Sequence, residues 1–328
     1  MKTKLFLLVI AACFVTISQA QQKFNVQNGT KAEFYNDLET AIENAASGDT
    51  IYLPGRVVQV QQNLVINKKL ALIGAGWSTG NIGGLQTTEI KRSGNYAHIN
   101  FSDGASGSLI MGCLFERINV SGSGVSDITI WRNRVMTDIV VLSSTSQRII
   151  IRENVLREIN GGYASDCLIQ NNLCASVIGF TNTQIFNNVA AESIYGLAGC
   201  NIDNNYIGNM RYGFLNVSNT TYKNNAFGVD VTFPAGNNTG INNLTNQTFA
   251  NTFTGNDYAL PETIKIKDTS PCKNAGSDGT DIGVYGGPTP FKETTIPINP
   301  HITKTSISSQ TDKDGKLRVA IQVSAQTE

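Results

Sequence analysis

Two carboxylates and a guanidinium recur at matched places along this chain: Arg117, Asp138 and Glu158 each stand three residues beyond an apolar position, at Leu114, Val135 and Val155. Stacked at the ~4.8 Å spacing of neighbouring strands, Asp138 and Glu158 suit glycosidic-bond hydrolysis, one carboxyl as general acid and the other as base or nucleophile. The same stacking also makes a surface ladder of ion pairs, Arg117 with Asp138 and Arg157 with Glu158, which carries no chemistry. Three residues before the same apolar positions stand Arg132 and Arg152. They either hold an acidic sugar or pair with Glu153. Trp77, inside the Gly-rich run 74–84, and Tyr163, after Gly161-Gly162, are placed to stack on a sugar ring. That run lacks the GK[ST] ending of a P-loop and the βαβ context of a dinucleotide fingerprint. Trp131 reads as core, and His98 lies in the strand-like run 96–101 and reads as packing.

An internal repeat must position these groups. Written apolar-x-x-Asn-apolar, it runs through Ile151–Val155, Ile169–Leu173, Ile185–Val189, Ile202–Tyr206 and Tyr222–Ala226, with degenerate copies at Ile110–Leu114 and Trp131–Val135. The last apolar positions are 114, 135, 155, 173, 189, 206 and 226, separated by 21, 20, 18, 16, 17 and 20 residues. Such a period is too short for βαβ crossovers and suits one coil of a solenoid, each strand pairing with its equivalents above and below. Apolar residues then form interior columns, with Ile151, Ile169, Ile185 and Ile202 in one shaft. Asn154, Asn172, Asn188, Asn205 and Asn225 form a structural ladder at the turn, where Asn tolerates left-handed backbone and can hydrogen-bond along the axis. The outward column beyond it reads Arg117, Asp138, Glu158, Ser176, Glu192 and Asn209. The irregular period breaks the hexapeptide beat of a left-handed β-helix, and Gly-Gly-x-Gly-x-Asp calcium rolls are missing, so the coils are expected to be right-handed.

The ends fit a capped solenoid. Residues 36–46 predict an amphipathic helix with Leu38, Ala41, Ile42 and Ala45 on one face, Asn36 and Glu39 at capping-box spacing and Gly48 beyond. Such a helix covers the open end of the core. After Gly287, Pro288, Pro290, Pro297 and Pro300 suggest a stiff linker. Alternating strands follow at Ile302–Ser308 and Lys316–Val323, joined by a turn at Asp312–Gly315. Asp312 and Asp314 lack the other ligands of a calcium loop. The expected division is a leader over 1–20, the β-helix over 21–290, and linker plus hairpin over 291–328.

Lys+Arg and Asp+Glu are both 25, so no whole-protein field attracts nucleic acid or an anionic membrane. Lys2 and Lys4, the apolar run 5–17 and Ser18-Gln19-Ala20 read as a secretory signal cleaved before Gln21. Ile10-Ala11-Ala12-Cys13 offers a lipoprotein box as the alternative. No later stretch is long and apolar enough to span a bilayer. Removing the leader leaves Cys113, Cys167, Cys174, Cys200 and Cys272. They match no zinc pattern and read as buried small apolar residues, with a Cys167–Cys174 or Cys174–Cys200 bridge as the other possibility. No metal or cofactor is indicated.

Ala46–Gly55 followed by Leu72–Gly76 resembles the first coil of the pectate-lyase-like β-helix superfamily. Asp268–Gly276 with Thr280–Gly287 is similar to the closing segment of secreted bacterial β-helix proteins. The resemblance spans about residues 24 to 290 and implies an all-β, right-handed parallel β-helix. It also implies polysaccharide lyase activity, in which an acidic pair with an Arg binds calcium and abstracts a proton. The chain departs from those enzymes: it has no lyase motif of clustered Asp with a catalytic Arg and no paired-Asp signature of the polygalacturonases. Three readings follow: an exported monomer that binds glycan along its sheet face, a divergent lyase or glycoside hydrolase built on Asp138, Glu158 and Arg117, or a structural component.

Overall fold

The computed structural model describes residues 23–78, 86–293, 295–296 and 301–324. The expected leader with Cys13, most of the Gly-rich run after Ser78, and Pro297 and Pro300 lie outside them. The chain winds as a parallel β-solenoid of about nine turns. Among the described residues its strands form sheets of twelve, nine and five, and a separate two-stranded hairpin.

The shaft is as the repeat requires. Ile51, Leu72, Ile110, Ile130, Ile151, Ile169, Ile185, Ile202 and Tyr222 stand in unbroken register. All nine are fully buried. Burying each such side chain is worth about 1.5–3 kcal/mol, which is what holds a coil of short strands in place. One copy is shifted from the expected alignment: Trp131 pairs with Arg152, so Ile130 fills the shaft and Trp131 points outward. There it packs on Ile73 and Met111. Asn133, not Arg134, is therefore the rung.

The asparagine ladder is longer than the sequence pattern suggested. Asn172 shows the repeating bonds: its backbone N–H donates to Asn188 Oδ1 at 2.9 Å, and its Nδ2 donates to that oxygen at 3.0 Å and to the Ile151 carbonyl at 2.8 Å. Equivalent side-chain bonds link Asn133 to Asn154 and Asn225 to Asn243, extending the ladder at both ends. The left-handed residue is the one before each rung: Arg132, Glu153, Asn171, Asn187, Asn204, Asn224 and Asn242 have φ between 51° and 59°. The rung itself turns its amide inward, where each atom meets a buried backbone partner that water cannot serve.

A second correction concerns the apolar column after the rung. Leu114, Val155, Leu173, Val189, Tyr206 and Ala226 face outward and pack with Phe253, Ile264, Ile266, Cys272, Ile282, Val284 and Phe291 as a second core. The chain over residues 249–293, with 295 and 296, is thus a strap laid along the solenoid. Side chains of the left-handed column hold it. Asn171 Nδ2 donates to the Val284 carbonyl at 2.7 Å, Asn204 exchanges bonds with Ser277, and Asn224 reaches the Ala275 carbonyl at 3.2 Å. Phe291 and Ile296 are buried, so packing runs past the expected boundary at residue 290.

The helix spans Leu38–Asn44 and buries Leu38, Ala41 and Ile42 against the first coil. Asp37 rather than Asn36 caps it, accepting from Thr40 N at 2.7 Å. Glu39 instead accepts from the backbone of Gln61, tying the helix to the coil below. An antiparallel pair that the sequence reading did not foresee, Phe24–Asn28 with Lys31–Tyr35, extends the largest sheet beyond the first coil. The C-terminal hairpin pairs His301–Ile307 with Val319–Ser324, and Asp312 Oδ1 accepts from Asp314 N and Lys316 N within its own turn. All five described cysteines are unbridged and buried.

Candidate functional site

The acidic pair sits on the outer face of the nine-stranded sheet. Registers place His98, Arg117, Asp138, Glu158, Ser176 and Ser193 in one column. This differs from the expected column at one point. A bulge between Cys174 and Ser176 advances the next strand, so Ser193 takes the place expected for Glu192. Glu192 turns to Arg211 at 3.6 Å.

Asp138 is only 3% exposed although it points outward. Arg117 Nη2 bonds its Oδ2 at 2.7 Å, and Arg157 Nη2 stands 2.7 Å from its Oδ1. The second contact is ionic but out of hydrogen-bond line. A nearly buried carboxylate is stable only when paired, and here two guanidiniums pair it. Asp138 thus fixes two arginines. The Arg117–Asp138 pair is as the residue types suggest, while Arg157 turns to Asp138 instead of Glu158.

Glu158 is the half-buried member of the pair. Burial raises its carboxyl above the ordinary range, the neighbouring Asp138 charge raises it further, and Arg157, Asn160 and Arg117 oppose the rise. Beside it, Tyr195 and Tyr212 pack with ring centroids 4.8 Å apart at 41°. Tyr212 is 43% exposed, and Arg211 lies 5.5 Å over its ring. Burial raises the Tyr195 hydroxyl, and the nearby Glu158, Tyr212 and Glu192 add to that. Tyr163 caps a protruding turn whose Asn160 Oδ1 accepts from Gly162 N at 3.1 Å. At Gly162 (φ 54°) an added Cβ would collide with the Val141 carbonyl, so the turn requires glycine there.

The other sequence candidates lie elsewhere. Trp77 is 7% exposed within the second core, with Arg134 over its ring at 5.5 Å, so it presents no open face to a ligand. Arg132 is 1% exposed, bonded to Glu153 Oε2 at 2.8 Å and to the Ile296 carbonyl at 3.1 Å. Arg152 lies 3.6 Å over the Trp131 ring, and Trp131 Nε1 donates to Glu153 Oε1 at 2.8 Å. Arg132 and Arg152 therefore do not stack on each other: the shifted register sets Arg132 against Glu153. Through the Ile296 carbonyl, Arg132 helps fasten the strap. His98 is half-buried and outward, with Ile99 and Phe101 filling the core beneath. Among the described residues, no three His, Cys, Asp or Glu side chains converge as a metal cage.

Tyr195 and Arg211 were missed in the sequence. A signal did exist: Tyr195-Gly196 and Tyr212-Gly213 repeat in consecutive coils, each tyrosine followed by a glycine at positive φ. Between the strap and this face, Arg134, Met136, Arg157, Tyr258 and Ala259 line a cleft of about 210 Å³.

Fold and face together define a strapped parallel β-solenoid with a tyrosine pair beside a shielded acidic column. Compared with known protein families, curated proteins and solved structures, the chain matches none.

Proposed function

We propose that the chain is an exported β-helix protein that binds a carbohydrate chain along the outer face of its nine-stranded sheet. One observation carries the reading. The exposed Tyr212 packs on the half-buried Tyr195 with Glu158 and Arg211 close by, offering a ring face and hydrogen-bonding groups together. A solenoid suits a linear polymer because its face repeats along one axis. The resemblance to the pectate-lyase-like superfamily and the leader-like first twenty residues support the same reading. Binding is favoured over cleavage because Asp138 is spent on Arg117 and Arg157. The test is a glycan array on the full chain, followed by calorimetry of Tyr212→Ala. A loss of roughly threefold to tenfold in affinity is expected, one ring-stacking contact being worth about 0.5–1.5 kcal/mol. Unchanged binding in that variant would place the ligand elsewhere.

A second reading rests on the upward shift of the Glu158 carboxyl, which suits a group that holds and passes on a proton more readily than an ordinary glutamate. It makes the chain a divergent lyase or hydrolase with Glu158 as acid or base and Arg117 alongside. Appearance of reducing ends or unsaturated products, lost in Glu158→Gln, would establish it.

A further inference from the structure

The cleft between the strap and the solenoid has a chemistry the tyrosine face lacks. Arg134 and Arg157 come from successive coils, with Arg134 Nη1 donating to the Ala259 carbonyl at 3.4 Å and Arg157 Nη2 held at 2.7 Å from Asp138. Each guanidinium carries five donors, of which these contacts engage at most one. Arg134 and Arg157 line the cleft, and Arg157 shares the buried carboxylate of Asp138 with Arg117. Other acids lie near. Glu192 pairs with Arg211, Asp257 Oδ1 accepts from Ala259 N at 2.8 Å, and Glu158 retains its proton more readily than an ordinary glutamate. Met136 forms an apolar rim and is 44% exposed, and the Arg157 side chain is 56% exposed, so the opening faces solvent. Its 210 Å³ is below the roughly 300 Å³ at which pockets begin to hold a whole small ligand, but enough for one substituent.

We propose that the Arg134–Arg157 cleft seats an oxyanion, a carboxylate or sulfate ester borne by the carbohydrate chain that lies on Tyr195 and Tyr212. The oxyanion rests on the cleft alone; its carrier rests on the carbohydrate reading above. Planar guanidinium forks match both groups with paired charge-assisted bonds.

The experiment is calorimetry of the full chain with a chondroitin sulfate hexasaccharide, its unsulfated counterpart, neutral chitohexaose and free sodium sulfate. The variants are Arg157→Gln and Met136→Glu, the latter placing a negative charge at the exposed rim while leaving both arginines and the strap bonds intact. The acidic hexasaccharides are expected to bind more tightly than chitohexaose, to weaken with salt, and to lose about tenfold in both variants. A preference between the two acidic probes assigns carboxylate or sulfate. Equal binding of acidic and neutral sugars, abolished only by Tyr212→Ala, would overturn the oxyanion site and leave the carbohydrate face standing. Thermal protection by free sulfate that disappears in Met136→Glu, with no sugar bound, would support the cleft and remove its proposed carrier. Failure of sulfate and of both acidic sugars to bind would overturn the proposal.

Discussion

Arg157 reaches past its neighbour Glu158 to Asp138, placing Nη2 2.7 Å from Oδ1. That choice sorts two in-register carboxylates into different environments. Asp138 is enclosed by two cations, while Glu158 keeps a desolvated carboxyl beside a like charge. A folded-state value above the ordinary 4.5 means that the native protein binds the Glu158 proton more tightly than the unfolded chain. Its contribution to stability is therefore full below that ordinary value and is lost as pH rises through the higher folded one. Glu158→Gln removes the penalty. Melting temperatures should show the variant gaining on the parent between pH 4 and pH 7, and a constant difference across that range would refute this assignment.

The ladder makes a quantitative prediction. Replacing Asn172 by Ala removes the oxygen that accepts from Asn154 N and Nδ2 and the amide that donates to the Ile151 carbonyl and Asn188 Oδ1. The Asn154 backbone N–H is left buried without its acceptor and three further bonds are lost, so a cost of roughly 3–5 kcal/mol is expected. Asn243→Ala, at the half-buried end of the ladder, should cost less. Urea denaturation of both variants measures the difference.

Arg132 and Glu153 occupy a column that elsewhere holds Asn at the same positive φ. Glu153→Gln leaves the buried guanidinium without its counter-charge and should cost about 3–5 kcal/mol. The double change Arg132→Asn with Glu153→Asn restores the residue type of the neighbouring coils and should recover most of that loss. Additive destabilisation in the double variant would contradict the role given to this column.

The thiols should be silent. Burial pushes Cys113 up to about 12 and Cys167 up to about 11, and Cys174 is raised as well. Alkylation near pH 8 should leave the folded chain unlabelled at Cys113, Cys167, Cys174, Cys200 and Cys272 and modify all five after denaturation. A mass two units low in non-reducing conditions would reveal a disulfide instead.

What the sequence disclosed follows from which contacts are periodic. Ile151, Ile169, Ile185 and Ile202 repeat because every coil needs the same inward side chain, and Asn172 repeats because every turn needs the same amide. Those columns were legible, and so was the adjacency of Asp138 and Glu158. The copy at Trp131–Val135 was misaligned by one because Ile130 and Trp131 are both apolar, and composition cannot distinguish an inward from an outward residue. The outward column Val155, Leu173, Val189 was read as interior because the strap that covers it lies far along the chain, and burial by a distant segment leaves no local period. Trp77 failed as a sugar platform for the same reason. The Tyr195–Tyr212 contact depends on a bulge before Ser176 that shifts register by one, which no spacing rule anticipates.

Hydrogen exchange on the chain saturated with a bound oligosaccharide probes the proposed face most directly. Slowed exchange is expected over Glu158–Ser165, Leu173–Thr181, Val189–Ala198 and the turn through Tyr212, with the twelve-stranded sheet unchanged. Protection centred on the twelve-stranded sheet, or none on the tyrosine-bearing strands at saturation, would contradict it.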